Sequence, residues 1–250
     1  MLYKYIPYSL FKRFFGDRKK YGSKICPEDE DYKKWQKNYV KFYTEVQKGS
    51  IGKIVNHYGF RIMKHLDLSG NNILELGPGV IEHLDYNITR PAQYYIADTS
   101  SYFLDISEKK LNSYGVSNIH KILITDESIP LPSKTIDIVL SFHQLEHIYQ
   151  LPEYVKEIKR VLKPGGLLAG AVPCEGGLAW GFGRFLVSRR YVFRNMNFNY
   201  DKIICWEHPN FLDSIKHVLD DTFTPILSIK KPFRFLPADF NLSWAFLYRK

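Results

Sequence analysis

The chain has 250 residues, 45% hydrophobic and 16% aromatic, with a formal net charge of +9. That length suits one α/β domain with additions and can bury a full core. The three cysteines, Cys26, Cys174 and Cys205, are too few and too widely spaced for a disulfide framework or a structural zinc site. No apolar run would span a bilayer and no secretion signal is recognisable, so a reducing cytoplasm is the expected compartment.

The charge is unevenly distributed. Residues 1–65 hold 15 Lys/Arg against 6 Asp/Glu, residues 66–175 hold 9 against 14, and residues 176–250 hold 11 against 6. Basic flanks suit nucleic acid, anionic lipid or a phosphorylated substrate, and equally a solvated face. In residues 1–24 the cations alternate with Tyr3, Tyr5, Tyr8, Phe11, Phe14 and Phe15. That mixture predicts either peripheral contact with an anionic membrane or a lid packed over the rest of the chain.

In chain order, a helix is expected in the first 65 residues with Trp35, Tyr39, Phe42 and Val46 on one face. Strands follow at 71–76, 93–97, 119–124, 136–142 and 167–172. The third helical pattern, through Leu151, Tyr154, Val155, Ile158, Val161 and Leu162, stops at Lys163-Pro164-Gly165-Gly166. A further helix is expected from Pro209, with Leu212, Ile215, Val218 and Leu219 inward. Two more strands are expected near 223–229 and 242–248. Alternating strands and helices predict a parallel sheet with crossover helices. The stretch 174–208 is far longer than the usual connection of about 2–6 residues, which marks it as functional.

The chemistry-bearing residues lie just past these strands. Glu75-Leu76-Gly77-Pro78-Gly79 follows the first strand and is expected to open a helix. Glycines at such a turn let a ligand approach the backbone. A dinucleotide site is disfavoured because Glu82 stands where its third glycine would be, and a carboxylate there repels a pyrophosphate. Asp98, followed by Thr99, ends the second strand, where a carboxylate can accept both hydroxyls of a ribose or simply cap the next helix. Asp126 and Glu127 follow the third strand and can accept an adenine amine. Ser141 and Phe142 end the fourth strand, and the run His143-Gln144-Leu145-Glu146-His147 follows it.

These segments together resemble the class I methyltransferases that use S-adenosylmethionine (SAM). The matching motifs are Glu75-x-Gly77-x-Gly79, Asp98, Asp126, Leu145-Glu146-His147 and Leu162-Lys163-Pro164-Gly165-Gly166, covering about residues 70–173. The resemblance implies a Rossmann-like α/β fold: a seven-stranded, mostly parallel sheet with an antiparallel last strand. Around it would stand an N-terminal helical extension or lid over 1–65, a methyltransferase domain over 66–250 and a substrate-specificity insertion over 174–208. It implies SAM as cofactor, held by Glu75, Gly77, Pro78, Gly79, Asp98, Thr99, Asp126, Glu127, Ser141 and Phe142. Ile81 replaces a glycine common in the family, and a shifted methionine-side pocket or weaker SAM binding is expected from it. The segments Val172–Gly177 and Glu207–Asn210 are loosely similar to bacterial methyltransferases of surface-polysaccharide clusters.

Methyl transfer needs alignment, exclusion of water and, for a hydroxyl nucleophile, a base. His143 is the first candidate, with His208 and Glu207 behind it. His147, Glu175, Arg184 and Arg189 are the candidate substrate contacts, the arginines through bidentate binding of phosphate or carboxylate, with an ordinary amphipathic helix as the alternative. No metal constellation is present in the sequence; His143 and His147 lack the zinc-binding order between them. The expected function is methylation of a small-molecule or glycan acceptor, a phosphate-bearing or lipid-linked sugar foremost. An RNA methyltransferase and a SAM-binding adaptor without activity are the alternatives.

Overall fold

The structure is a computed structural model that describes residues 1–42, 50–87, 89–125 and 128–250. Seven strands form one sheet: β1 Asn72–Leu76, β2 Gln93–Asp98, β3 Ile119–Leu123, β4 Ile136–Phe142, β5 Leu162–Pro173, β6 Thr224–Lys231 and β7 Ser243–Arg249. Their order is β3-β2-β1-β4-β5-β7-β6. The first five run parallel, and β7 is antiparallel to both β5 and β6. This is the expected mostly parallel sheet with an antiparallel last strand.

Both faces of the sheet are covered, so its central strands read as nearly continuous apolar runs. Side chains alternate between the faces as the strand period requires. Leu74, Leu76, Val139 and Leu168 join Val155 and Ile158 of α6 (Leu151–Val161) and Leu212 and Ile215 of α10 (Leu212–Thr222). Their neighbours Ile73, Ile138, Leu140 and Ala169 face the other way, onto Phe60 of α4 (Ser50–Phe60) and Leu104 and Leu111 of α5 (Ser101–Ser113).

The strand order reverses between β1 and β4, which run parallel. Such a switch point opens a crevice beyond the strands' carboxyl ends, and ligands bind there in open α/β sheets.

Two expectations about helices are corrected. No α-helix follows the glycine turn after β1; a single 3₁₀ turn, His83–Tyr86, stands there instead. The Asn87 side chain, just beyond it, is buried and donates to the carbonyls of Met63 and Leu66 at 2.9 Å each, which ties this segment to the preceding 3₁₀ turn Arg61–His65. Pro91 then bars helix continuation. The helix expected from Pro209 starts at Leu212, because Asn210 is committed elsewhere. Its main-chain N–H donates to Glu146 and its side-chain amide donates to Leu145 and Ile148.

The stretch 174–208 folds into three short helices, α7 Leu178–Leu186, α8 Ser188–Asn195 and α9 Tyr200–Glu207. At the N-terminus lie α1 Tyr8–Phe15, α2 Arg18–Tyr21 and α3 Glu30–Phe42. Trp35 of α3 packs with Ile203, Ile204 and Trp206 of α9. Phe42 and Val46, expected on the same face, lie outside the described side chains. Most rings of residues 1–24 turn inward, although Tyr5 stays exposed. Tyr3, Phe11 and Phe15 cluster with Phe211, and Phe14 meets Phe182 and Phe185 of α7. Among the described residues no helix is long and apolar enough to cross a membrane.

Phe15 is 0% exposed, so the N-terminal segment is part of the core that supports the insertion. Phe15→Ala is expected to cost about 3–5 kcal/mol by loss of the buried ring and the cavity it leaves. Urea unfolding monitored by tryptophan fluorescence measures this; a change below about 1 kcal/mol would show that the segment is only laid on the surface.

Candidate functional site

A cavity of about 1380 Å³ opens beyond the carboxyl ends of β1, β2, β4 and β5. Ligand pockets usually measure about 300–1,000 Å³, so there is room for two reactants. Its floor is built by the strand ends: Gly77, Pro78 and Gly79 after β1, Asp98 and Thr99 at β2, and Phe142 and His143 at β4. Its upper walls come from α3 and the insertion, through Trp35, Tyr39, Trp180, Tyr191 and Trp206.

Gly77 and Gly79 have φ of +60° and +53°, a region that disfavours side chains. A Cβ on Gly77 would also lie 2.7 Å from Gln144 Cγ. Gln144 is held in turn, accepting from the Ser141 hydroxyl and donating to the Tyr154 hydroxyl at 3.1 Å each. Ser141 is fully buried and lies outside the cavity lining, so the structure assigns it to positioning Gln144 in place of the expected cofactor contact. Ile81 is likewise fully buried, in the core under β1, and does not narrow the cavity. The expected shift of the pocket has no basis in its position.

Asp98 Oδ1 accepts the main-chain N–H of Ser100 at 2.8 Å. Burial raises the Asp98 pKa, opposed by the N–H groups of Ser100 and Thr99. The carboxylate thus shapes the turn before α5 and lines the cavity as well. Glu75 is 1% exposed, and its Oε2 accepts the Tyr94 hydroxyl at 2.6 Å. Burial pushes its pKa up to about 8, while the adjacent His83 is pushed down to about 3 for the same reason. Asp126 and Glu127 lie outside the described residues; Ile124 and Thr125 before them line the cavity.

The acceptor side holds a cluster of acids and histidines. Glu175, fully buried, accepts from Trp180 Nε1 at 2.7 Å and pairs with His208 Nδ1 at 2.8 Å. Burial alone would raise the Glu175 pKa, but the positive charges of His208, Arg18 and Arg184 hold it below its ordinary value. Burial alone would lower the His208 pKa, but the Glu175 carboxylate outweighs it and the net shift is upward. Glu175 therefore serves His208 and is not the direct substrate contact expected from the sequence.

His143 sits at the end of β4 with φ +54°, a strained value for a residue with a side chain. Burial and the charge of His208 push its pKa down to about 4, and its Nε2 is buried without a partner. His147 Nδ1 lies 2.6 Å from the carbonyl oxygen of Glu207, and its ring meets that of His208 edge-on at 4.7 Å. Burial lowers the His147 pKa, although 37% of the side chain remains open to the cavity, so water there moderates the shift. Glu207 lines the same wall, its pKa raised by burial.

The two candidate arginines are already engaged. Arg184 donates to the carbonyls of Phe14 and Arg13 and lies 3.4 Å from Asp201. Arg189 bonds both Asp201 oxygens, at 3.0 and 2.9 Å, and lies outside the lining. These contacts correct the expectation that both bind substrate. Among the described lining residues Arg184 is the only Lys or Arg, so no free cationic side chain among them meets a pyrophosphate. Acids and positive-φ glycines at the floor fit a cationic, phosphate-free nucleoside such as SAM.

Residues 74–170 match the family described as "Methyltransferase domain". Over this stretch the chain carries a methyltransferase domain. The fold is shared with the N-methyltransferase NodS from Bradyrhizobium japonicum, solved with S-adenosyl-L-homocysteine, at a TM-score of 0.59 and 12% identity, covering 87% of this chain and 98% of that one. A demethylmenaquinone methyltransferase of Protochlamydia amoebophila is 30% identical over 83 residues, 32% of this chain and 34% of that protein. A sterol 4-C-methyltransferase of Caenorhabditis elegans is 36% identical over 63 residues, 25% of this chain and 19% of that protein. The aligned stretch thus spans about a third or less of these curated relatives.

Sequence reasoning passed over Glu146 except as part of a motif. It is 2% exposed, lines the cavity, keeps Oε2 unpartnered and has its pKa pushed up by burial to about 7. An acid between Leu145 and His147, in the run just past the fourth strand, was the available signal. The cavity aromatics of α3 and α9 had none, because their periodicity is that of any amphipathic helix.

Asp98→Ala is expected to weaken SAM binding about 10²–10⁴-fold, since hydrogen bonds to a charged group are worth about 1.5–3 kcal/mol each. Gly77→Ala is expected to weaken it too, through the strained φ and the displaced Gln144. Isothermal titration calorimetry with both variants measures this; SAM affinity equal to wild type in both would remove the floor from the cofactor site.

Proposed function

We propose that this methyltransferase acts on a hydroxyl of an uncharged small-molecule acceptor that presents a broad ring or apolar surface, a sugar or glycan ring included. The observation that carries this reading is His208, lining a cavity walled by tryptophan and tyrosine and paired with the buried Glu175 behind it. SAM, when bound, supplies an electrophilic methyl group. The aromatic walls stack on a ring and exclude water from it. Glu175 holds the His208 proton on Nδ1, which leaves Nε2 to take the proton that a hydroxyl must lose as it becomes the nucleophile. The carboxylate also makes the imidazole a stronger base, and Arg18 fixes its backbone by donating to the His208 carbonyl at 2.8 Å.

His208 thus takes the role that the sequence assigned first to His143. With a pKa near 4, His143 is a weak proton acceptor at neutral pH. His143, His147 and Glu207 instead border the acceptor. The engaged state of Arg184 and Arg189 favours an acceptor that is uncharged where it enters the cavity over a phosphate-bearing sugar, and gives RNA no cationic seat there. The buried position of Ile81 removes the motive for a decayed, non-catalytic adaptor. The free thiols of Cys26, Cys174 and Cys205 accord with work in a reducing cytoplasm.

Methyl transfer from labelled SAM to a panel of glycans, lipid-linked sugars, hydroxylated ring compounds and RNA tests the acceptor class; turnover of RNA alone would overturn it. With an acceptor found, His208→Ala is expected to lower kcat by about 10²–10⁴-fold with SAM affinity unchanged. A base works when neutral, so activity should rise with pH through a midpoint above the ordinary histidine value. Glu175→Gln removes the upward influence and should move that midpoint to lower pH while reducing kcat. A pH profile indifferent to Glu175 would dismiss the pair as the proton acceptor.

A further inference from the structure

The segment between β6 and β7, residues 232–242, leaves the sheet at the same edge that carries the cavity, because Lys231 pairs with Ser243 opposite the end of β5. It holds large apolar side chains in water: Phe233 is 55% exposed, Phe235 95%, Leu236 43% and Phe240 44%. The loop is nevertheless tightly built. Asn241 is fully buried; its Oδ1 accepts the Phe233 N–H at 2.7 Å, and its amide donates to the carbonyls of Leu236 and Pro237. Buried Asp239 accepts the main-chain N–H of Leu2, itself 39% exposed, and so adds that side chain to the same patch.

A loop organised by a buried asparagine does not need exposed phenylalanines to fold; their exposure calls for a partner. The charge around them identifies its kind. Between Thr224 and Pro237 there are Lys230, Lys231 and Arg234 and no acidic residue. The loop's one acid, Asp239, is buried against the Leu2 N–H, so the exposed charge beside the rings is cationic and matches the headgroup region of an anionic bilayer. A protein groove would also take the rings, but gives no reason for the one-sided charge.

We infer that the β6–β7 loop, with Leu2, docks this protein peripherally on an anionic lipid surface, with Phe233, Phe235, Leu236 and Phe240 entering the headgroup layer. The membrane contact expected of residues 1–24 thereby shifts to the β6–β7 loop with Leu2, since the rings of that segment other than Tyr5 pack inward. The active edge of the sheet then faces the lipid: Leu242, at the base of the loop, lines the cavity. This docking is independent of which acceptor is methylated.

Full-length protein sedimented with vesicles of phosphatidylglycerol and phosphatidylcholine, and with phosphatidylcholine alone, tests it. Wild type should bind the anionic vesicles, and less so as NaCl rises from 50 to 500 mM. The double variant Phe233→Ser/Phe235→Ser should lose tenfold or more of the partitioning, and Lys231→Glu/Arg234→Glu should abolish the preference for anionic lipid. The first changes exposed side chains and the second pairs exposed Arg234 with half-buried Lys231; unchanged SAM binding and thermal midpoint will show that they fold. No sedimentation of wild type, or sedimentation of the Phe variant equal to wild type, overturns the proposal. So does loss through Tyr5→Ser/Leu10→Ser with the loop variants unaffected, which would return the contact to residues 1–24. A wild-type dimer in solution that the Phe variant splits, without vesicle binding, would assign the patch to a second copy.

Discussion

The cap over the cavity is assembled around one buried carboxylate. Glu175 follows β5 directly and is fully enclosed, a position that would cost several kcal/mol for an unpaired charge. It is offset from separate parts of the chain: by His208 at the end of α9, by the indole of Trp180 in α7, and by the fields of Arg18 and Arg184. Arg18 reaches the His208 carbonyl, and Arg184 reaches those of Arg13 and Phe14. The N-terminal segment, the insertion and the sheet are therefore joined through the same charge that orients the proposed base. Removing it would loosen the cap as well as the chemistry, which is why the informative variant is the isosteric glutamine.

This arrangement also explains the uneven charge of the sequence. The basic flanks do not form a free cationic surface as a whole. Lys202 is shared between Asp29 and Asp31 at 2.8 and 2.7 Å, and Lys4 meets Asp213 at 2.7 Å. Arg184 and Arg189 converge on Asp201. Several of these pairs cross between the N-terminal segment and the insertion, so part of the positive charge is spent inside the molecule. The cations beside the β6–β7 loop are different in kind, because the loop's one acid, Asp239, is turned inward onto the Leu2 N–H.

The sheet was legible in the sequence because a strand buried on both faces leaves a dense apolar run bounded by turn residues. β4 matches its expected bounds, 136–142, and β1 and β2 differ by one residue at an end. The cofactor floor was legible for a related reason: Gly77, Gly79 and Asp98 fall at strand ends, where sheet geometry alone brings them together. Long-range partnerships were not legible. Nothing local in Glu175 or Ser141 tells that one serves His208 and the other Gln144, since each side chain can equally contact a ligand. The helix expected after Gly79 fails for the same reason: the fate of that segment is decided by Asn87 bonding to carbonyls more than twenty residues earlier.

The strain at His143 shows how the cavity manages its charge. A left-handed residue at the end of β4 places the imidazole where burial and His208 both disfavour its protonation. Glu146 nearby is pushed upward by burial, and His147 is pushed downward. Each shift favours the neutral form, so the charge of the cluster is concentrated in the His208–Glu175 pair, whose members oppose one another. On the proposed reading, a site that admits a sulfonium cation and an uncharged acceptor gains from this near-neutrality, because few fixed charges draw water to the reacting atoms.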